Sequence, residues 1–249
     1  MKTVERVVRR GRPALLIALA LGLAAPAAAS ALNIYAAASV REVLPQVDSG
    51  PTYNFGASNT LQLQIERGAP ADVFLSAAPQ EAQALFRGGR CDRPVTFATN
   101  KLVLIVPKAN PAAIKSVYTL RKGGLRLAVG NMGVPIGGYT RALLRRLGLS
   151  RVLASNTVSQ ESSVAGIVSK VALGSADAGF AYATDGKIAS DRVTTIRLPR
   201  DAQPPVRYLM CAVKRSGAHT SGAAAFIAKV RSDRGRGLLR AAGFGLPPK

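Results

Sequence analysis

Several residue types are scarce in this chain of 249 residues, and each scarcity excludes a kind of protein. Two cysteines are too few for a disulfide-dense mini-protein, and no glycine triplet or heptad repeat supports a collagen-like or coiled-coil rod. The single histidine, His219, excludes a zinc site of three histidines and is a weak general-base candidate in its basic loop. Tryptophan is absent, which leaves few platforms for stacking nucleic-acid bases.

The composition that remains is that of a basic globular protein. Hydrophobic residues make up 48% of the chain, which is too many for a disordered tail. Lys and Arg number 34 against 13 Asp and Glu, so the net charge is +21. The length allows either one large domain or two smaller lobes, and in both cases a sizeable α/β or α+β core.

The N-terminus has the pattern of a secretory signal peptide over residues 1–31. A cationic start precedes the apolar run at 14–29, and small residues follow it. Cleavage after Ala29 and cleavage after Ala31 both satisfy the small-x-small pattern. A membrane anchor is the alternative, but Pro13 and Pro26 leave the run short for a bilayer core of about 30 Å. We therefore expect export to the periplasm or another extracytoplasmic space.

The positive charge survives processing, because removal of five basic residues and one acidic residue leaves +17. The arginines are spread along the chain rather than gathered in one stripe, which disfavours nucleic acid as a partner. Two cysteines fit an oxidising compartment. The sequence leaves open whether Cys91 and Cys211 form a disulfide.

From Leu32 onward, short apolar runs alternate with helix-like stretches. The runs, such as 102–106 and 206–213, are rich in β-branched and aromatic residues and have the length of strands. Between them, Val164, Ile167, Val168 and Val171 form one apolar helix face. This alternation predicts an α/β protein with mainly parallel sheets covered by helices.

No motif of a common enzyme is complete. Residues 56–60, GASNT, resemble a nucleophile elbow, but Thr60 stands where the second glycine is required. Gly186 and Lys187 are the only Gly-Lys pair, and Ala181 occupies the glycine position of a phosphate loop. The sequence therefore predicts that the protein is not an enzyme.

Hydroxyl and glycine residues instead gather where four helices are expected to begin, around residues 39, 58, 136 and 163. Unpaired N–H groups at helix starts carry partial positive charge, so several starts that face one cleft would hold an anion. The alternative is ordinary N-capping by Ser, Thr and Asn.

Several segments together closely resemble the periplasmic molybdate-binding proteins of molybdate ABC transporters. They are AAAS at 36–39, the run from Ser58 to Ala77 with IERGAPADVFLSA, NKLVLIVPK at 100–108, LAVGNMGVPIGGY at 127–139 and GFAYATD at 179–185. The resemblance implies a two-lobed periplasmic binding protein of type II-like fold, with mixed, mainly parallel sheets. It also implies molybdate or tungstate as ligand, an ABC permease as partner, a monomeric state, and no cofactor or nucleic acid.

The resemblance further implies the residues that hold the oxyanion, with no side chain bound directly to the metal. Ser39 and Ser58 would donate through hydroxyl and amide groups, Ile136 and Val164 through backbone N–H groups, and Tyr182 through its phenol. The sequence departs from the family at Ala57 and Asn59, where serines are common, and Asn59 next to Ser58 is a candidate for an additional or replacement donor. Family members often have a small residue where Ile136 stands, which puts selectivity in question more than anion binding.

The expected lobes are residues 32–106 with 206–249, and residues 107–205. Segments 102–106 and 206–213 would be the strands that cross between them, and a disulfide would staple the first lobe. Sulfate or another oxyanion is the alternative ligand, and an exported enzyme or a basic surface-binding protein is the alternative class.

Overall fold

The computed structural model describes residue 3 and residues 31–248. The predicted signal peptide at residues 1–31 thus lies outside the described residues, apart from its positions 3 and 31. Along residues 31–248, none of the helices combines the length and the apolar character that crossing a bilayer requires.

Ten strands of the described chain form two sheets of five strands each. In chain order they are β1 (Asn33–Ala37), β2 (Thr52–Gly56), β3 (Val73–Ser76), β4 (Val95–Asn100), β5 (Leu102–Pro107), β6 (Leu127–Gly130), β7 (Thr157–Glu161), β8 (Ala178–Tyr182), β9 (Val193–Arg197) and β10 (Val206–Ala212). The first sheet has the strand order β2-β1-β3-β10-β4, and the second has the order β7-β6-β8-β5-β9.

In each sheet one strand runs against the other four. β1 pairs in parallel with β2 and β3, whereas β10 is antiparallel to β3 and β4. β6 likewise pairs in parallel with β7 and β8, whereas β5 is antiparallel to β8 and β9. The predicted α/β class with two mixed, mainly parallel sheets is confirmed.

Helices connect the strands and cover the sheets. In chain order they are α1 (Leu44–Val47), α2 (Ser58–Glu66), α3 (Pro79–Arg87), α4 (Pro135–Arg146), α5 (Val152–Asn156), α6 (Val164–Ala172), α7 (Ala183–Ile188), α8 (Thr220–Arg231) and α9 (Asp233–Ala242). Two 3-10 helices lie at Ala38–Val40 and Val117–Lys122. The pair α8 and α9 matches the two consecutive helices expected near the C-terminus.

The chain passes between the two sheets twice, at positions that differ from the expected ones. β4 ends at Asn100 in the first sheet and β5 begins at Leu102 in the second, so the change of sheet falls at Lys101. The second passage is the segment 198–205 between β9 and β10. Segment 102–106, assigned to the first lobe from sequence, therefore belongs to the second sheet, because its hydrogen-bonded partners are β8 and β9.

The parallel strands are buried on both faces. Every residue of β3, β6 and β8 is buried, as expected for strands covered by helices on each side. Helix α6 turns Val164, Ile167 and Val171 into this core, which confirms the apolar face predicted from their spacing. Burial on both faces fixes the register of these strands, and with it the positions of the residues that follow them.

Cys91 and Cys211 form a disulfide, which answers the question the sequence left open. Cys211 lies on β10 opposite Phe74 of β3, and Cys91 follows α3 and forms a bridge with Val213. Both cysteines are at most 2% exposed. The bond therefore ties the segment after α3 to the only antiparallel strand of the first sheet.

We expect the double variant Cys91→Ser/Cys211→Ser to be less stable by about 2–5 kcal/mol, since the bond closes a loop of 120 residues in the unfolded chain. Urea denaturation of the variant and of the oxidised protein measures the difference. Equal midpoints and equal slopes for the two proteins would contradict the expectation.

Candidate functional site

A cavity lies where the carboxyl ends of strands from both sheets meet. Of the described residues, thirteen line it: Ala37, Ala38, Ser39, Gly56, Ala57, Ser58, Ala77, Val134, Pro135, Ile136, Ser163, Val164 and Tyr182. We call this space the cleft cavity. Its wall follows β1, β2 and β3 on one side and β6, β7 and β8 on the other. Carboxyl ends of parallel strands are where ligands bind in α/β sheets.

All five residues expected to hold the ligand line the cleft cavity: Ser39, Ser58, Ile136, Val164 and Tyr182. Residues far apart in the chain are thus brought together by the two sheets. None of the thirteen described residues that line the cavity is Asp, Glu, Lys or Arg. The cavity wall therefore offers neutral polar groups only.

Four helix starts contribute to this wall. The 3-10 helix begins after Ala37, α2 after Ala57, α4 after Val134 and α6 after Ser163. For none of these four cap residues does the described chain contain a side-chain capping hydrogen bond. The described chain thus has no side-chain N-cap at these four positions, so the side chains of the cap residues do not occupy the first N–H groups of these helices.

Ile136 is the second residue of α4 and follows Pro135, which has no N–H group to donate. A tight turn holds this helix start against β6. A Cβ atom at Gly137 would collide with the carbonyl oxygen of Asn131, so the turn requires glycine there. Arg141 Nη1 donates to the carbonyl oxygens of Gly130 and Gly137, each at 3.0 Å. These contacts fix the direction of the Ile136 N–H group.

The side chain of Ile136 packs over Gly130. A Cβ atom placed on Gly130 would lie 2.8 Å from Ile136 Cγ2. Ile136 itself is 2% exposed and belongs to the main hydrophobic core. Gly130 therefore leaves the room that the large side chain of Ile136 occupies, and Ile136 is also one of the residues that line the cavity.

The two serine hydroxyl groups have defined partners behind the cavity wall. Ser58 Oγ accepts a hydrogen bond from the Ala77 N–H group at 3.0 Å, which leaves the Ser58 proton free to be donated. Ser39 Oγ lies 2.9 Å from the Tyr208 hydroxyl. Both serines are buried, at 5% exposure for Ser39 and 1% for Ser58.

Tyr182 presents the third hydroxyl group. It is 1% exposed, and among the described residues its hydroxyl has no hydrogen-bond partner. Burial raises its pKa well above the ordinary value, so the phenol stays protonated. A buried, protonated and unpartnered donor in a cavity wall leaves a hydrogen bond for a ligand to complete.

A buried acid lies close behind Tyr182. Asp185 Oδ2 accepts from the Tyr182 N–H group at 3.2 Å. Burial raises the pKa of Asp185 to about 7. The hydrogen bond from the Tyr182 N–H group lowers this pKa, but by less than burial raises it. The charge next to the cavity is therefore set by pH near neutrality.

Asn59, the additional residue expected from the sequence, is not part of the cavity wall. It lies in the first turn of α2. Its side chain is next to Gly133, since a Cβ atom added to Gly133 would lie 3.3 Å from Asn59 Nδ2. Ser163, in contrast, lines the cavity and was missing from the expected set. Its signal in the sequence was its place directly before the predicted helix at 164.

The cleft cavity is small and chemically simple. The centre of a water-sized sphere can move through about 20 Å³ of the cavity. On the same measure, about 10–15 Å³ is enough to hold one water molecule. Within residues 31–248, no three His, Cys, Asp or Glu side chains come together as a metal site. The site can donate hydrogen bonds to a small guest but offers it no charged base or nucleophile.

Several known proteins are similar to this chain over most of its length. It is 32% identical to the molybdate-binding protein ModA of Mycobacterium tuberculosis over 88% of this chain and 86% of that protein. It is also 32% identical to ModA of Haemophilus influenzae, over 93% and 95% of the two chains. The solved periplasmic molybdate-binding protein of Azotobacter vinelandii matches with a TM-score of 0.78 and 25% identity, over 87% of this chain and all of that one.

The match extends to the family as a whole. The sequence profile of the bacterial extracellular solute-binding proteins covers residues 24–245, which is most of the chain. The fold, the cavity at the strand ends and the relatives agree with one another. This chain belongs to the family of bacterial extracellular solute-binding proteins.

Proposed function

We propose that this protein captures molybdate or tungstate in the cleft cavity and delivers it to the permease of an ABC transporter. The observation that carries the proposal is the buried Tyr182 hydroxyl, which has no partner among the described residues and belongs to a cavity wall of neutral donors. The molybdate-binding proteins among its relatives support the choice of oxyanion.

The donors are suited to a fully deprotonated dianion. Ser39, Ser58 and Tyr182 offer O–H groups, and Ile136 and Val164 offer N–H groups at helix starts. Hydrogen bonds to a charged acceptor are stronger than neutral ones, so several of them together can replace the water around a dianion. Phosphate is disfavoured, because its proton at neutral pH needs an acceptor and no described residue of the wall is Asp or Glu.

The size of the cavity supports an ion of a few atoms. A space of about 20 Å³ for the centre of a water-sized sphere is too small for a sugar or a peptide. The wall comes from strand ends of two sheets, so opening and closing of two lobes would admit and enclose the ion.

We place the lobes at residues 32–100 with 206–249, and at residues 102–197, with the hinge at Lys101 and in the segment 198–205. Each lobe then contains one complete sheet. Bending at these two connections would leave the strand pairing within each sheet intact.

The remaining parts of the proposal follow from the same mode of action. The protein is exported by way of a signal peptide at residues 1–31, acts as a monomer, and needs no cofactor and no nucleic acid. It carries out no chemical reaction on its ligand. The absence of a charged base in the described wall of the cavity supports this reading.

Molybdate and tungstate are expected to raise the melting temperature, because a ligand that binds only the folded state stabilises it. At 100 times the dissociation constant the gain is about 2.7 kcal/mol. Thermal denaturation with each of molybdate, tungstate, sulfate and phosphate tests this. A rise in melting temperature with sulfate alone would identify sulfate as the ligand in place of molybdate and tungstate. An unchanged melting temperature with all four anions would refute the proposal.

Ser58→Ala and Ser39→Ala are each expected to weaken molybdate binding by about 1–3 kcal/mol, the cost of losing a donor to a charged group. Calorimetric titration measures the affinities. Ser155→Ala is the matched control, because Ser155 is an exposed residue of α5 and its hydroxyl donates to the carbonyl oxygen of Arg151, the residue before that helix. Unchanged affinity in both cavity variants would show that the donors are assigned wrongly.

Binding of the dianion is expected to weaken as the pH rises from 6 to 8.5, because Asp185 gains a negative charge behind Tyr182. The pKa of Asp185 is about 7 in the folded protein. Asp185→Asn keeps an acceptor for the Tyr182 N–H group but cannot ionise, so its affinity should vary less with pH. We expect a difference of roughly tenfold between the two proteins at the upper end of this range, equal to about 1.4 kcal/mol.

The stability of the ligand-free proteins provides an independent check. The pKa of Asp185 is raised on folding, so its contribution to stability is present at low pH and is lost as the pH rises through about 7. The wild type should therefore lose stability relative to Asp185→Asn between pH 5 and 8. Burial also raises the pKa of Glu81. Because both proteins contain Glu81, its contribution to the pH dependence of stability cancels in the comparison.

A further inference from the structure

Behind the cleft cavity, four buried polar side chains form one connected network. The Tyr208 hydroxyl lies 2.9 Å from Ser39 Oγ. Asn100 Nδ2 donates to Thr184 Oγ1 at 2.9 Å and to the Tyr208 hydroxyl at 3.5 Å. Tyr208 and Thr184 are fully buried, and Asn100 is 9% exposed. Of the four, only Ser39 lines the cavity.

The partners of Asn100 determine the direction of the hydrogen bonds. Asn100 Oδ1 accepts from the Lys101 N–H group at 2.9 Å, which identifies the other amide atom as the nitrogen. Nδ2 can only donate, so the Tyr208 oxygen accepts from it. Among the described residues, Ser39 Oγ is then the remaining partner for the Tyr208 proton, and we assign Tyr208 as the donor to Ser39 on that ground. Ser39 Oγ therefore accepts from Tyr208, and the Ser39 proton is left to point into the cavity. Burial raises the pKa of Tyr208 well above its ordinary value, so this donor persists.

The network also joins the two halves of the cavity wall. Asn100 is the last residue of β4, directly before the change of sheet at Lys101. Tyr208 belongs to β10 in the first sheet, whereas Thr184 lies in α7, two residues after Tyr182. Asn100 thus contacts Tyr208, the partner of the Ser39 hydroxyl, on one side. On the other side it contacts Thr184 of α7, the helix that begins after Tyr182.

We propose that Tyr208 and Asn100 are positioning residues for oxyanion binding: Tyr208 orients the Ser39 hydroxyl as a donor, and Asn100 sets its position relative to Tyr182. This inference rests on the proposed function, because it assigns how two of the ligand donors are held. Neither residue touches the ligand, and both act through residues that line the cavity.

The first test is Tyr208→Phe, which removes the hydroxyl and keeps the ring that packs on Phe97, Tyr182 and Phe244. Calorimetric titration with molybdate is expected to show affinity reduced about 5- to 20-fold. Tyr53→Phe is the matched control, because its hydroxyl donates to the carbonyl oxygens of Leu44 and Asp48 away from the cavity. Its affinity for molybdate should equal that of the wild type.

A double-mutant cycle separates positioning from a general loss of structure. If Tyr208 acts through Ser39, then Tyr208→Phe changes affinity little in a protein that already carries Ser39→Ala. An equal loss in both backgrounds would overturn the role assigned to Tyr208, as would unchanged affinity in the single variant.

The second test concerns the link from Asn100 to the other sheet. Thr184→Val keeps the shape of the side chain but removes the acceptor for Asn100 Nδ2, whereas Thr184→Ser retains a hydroxyl. We expect weaker binding in the valine variant and recovery to within about twofold of wild type in the serine variant. Equal affinities for the two variants would overturn the role of Asn100.

The outcomes distinguish this inference from the function on which it rests. Wild-type protein that binds none of molybdate, tungstate or sulfate would refute the proposed function, and this inference with it. Wild-type binding that Tyr208→Phe and Thr184→Val leave unchanged would refute only the positioning roles.

Discussion

The arrangement of this protein depends on neutral hydrogen-bonding groups that the fold gathers at the wall of one small cavity. Four helices begin at its wall, and their first N–H groups have no side-chain cap within the described chain. Buried donors without partners are costly, because they lose their hydrogen bonds to water. An anion that accepted hydrogen bonds from such donors would remove this cost, so under the proposed function the donors and the charged ligand would stabilise one another.

The absence of charged residues from the described wall is consistent with this principle. A buried arginine or lysine would need its own counter-charge whenever the site is empty, since an unpaired buried charge is strongly unfavourable. Neutral donors avoid that requirement. They are also held rigidly by the backbone, as at α4, where Arg141 and the glycine turn fix the helix start. The charge of the protein is placed elsewhere, on a surface with a large excess of Lys and Arg over Asp and Glu.

The two sheets bring these donors together from distant parts of the chain. Ser39 and Ser58 follow β1 and β2 in the first sheet, whereas Val164 and Tyr182 follow or end strands of the second. The carboxyl ends of parallel strands lie at the same edge of a sheet, so two such edges facing each other form a cavity lined by helix starts. Each sheet also has one reversed strand, β10 or β5, and each of these comes directly after the chain has passed from the other sheet.

The sequence by itself, with the resemblance it carries, determined the class of fold and five of the thirteen described residues of the cavity wall. Local patterns suffice for these: the apolar face of α6 repeats with the helix period, and Ser58 and Val164 directly precede apolar helical runs. The resemblance to molybdate-binding proteins added Ile136 and Tyr182, both of which line the cavity. Such features depend on neighbours within a few residues, which is why they can be read along the chain.

Only the tertiary structure decided which side chains lie behind the cavity wall and where the chain passes between the two sheets. The network of Ser39, Tyr208, Asn100 and Thr184 spans up to 169 positions, and no local pattern marks its members. The disulfide and the change of sheet at Lys101 likewise depend on strand pairing, as does the absence of Asn59 from the described wall. Pairing between distant segments is set by the packing of the whole core, and the residues of one segment do not reveal it.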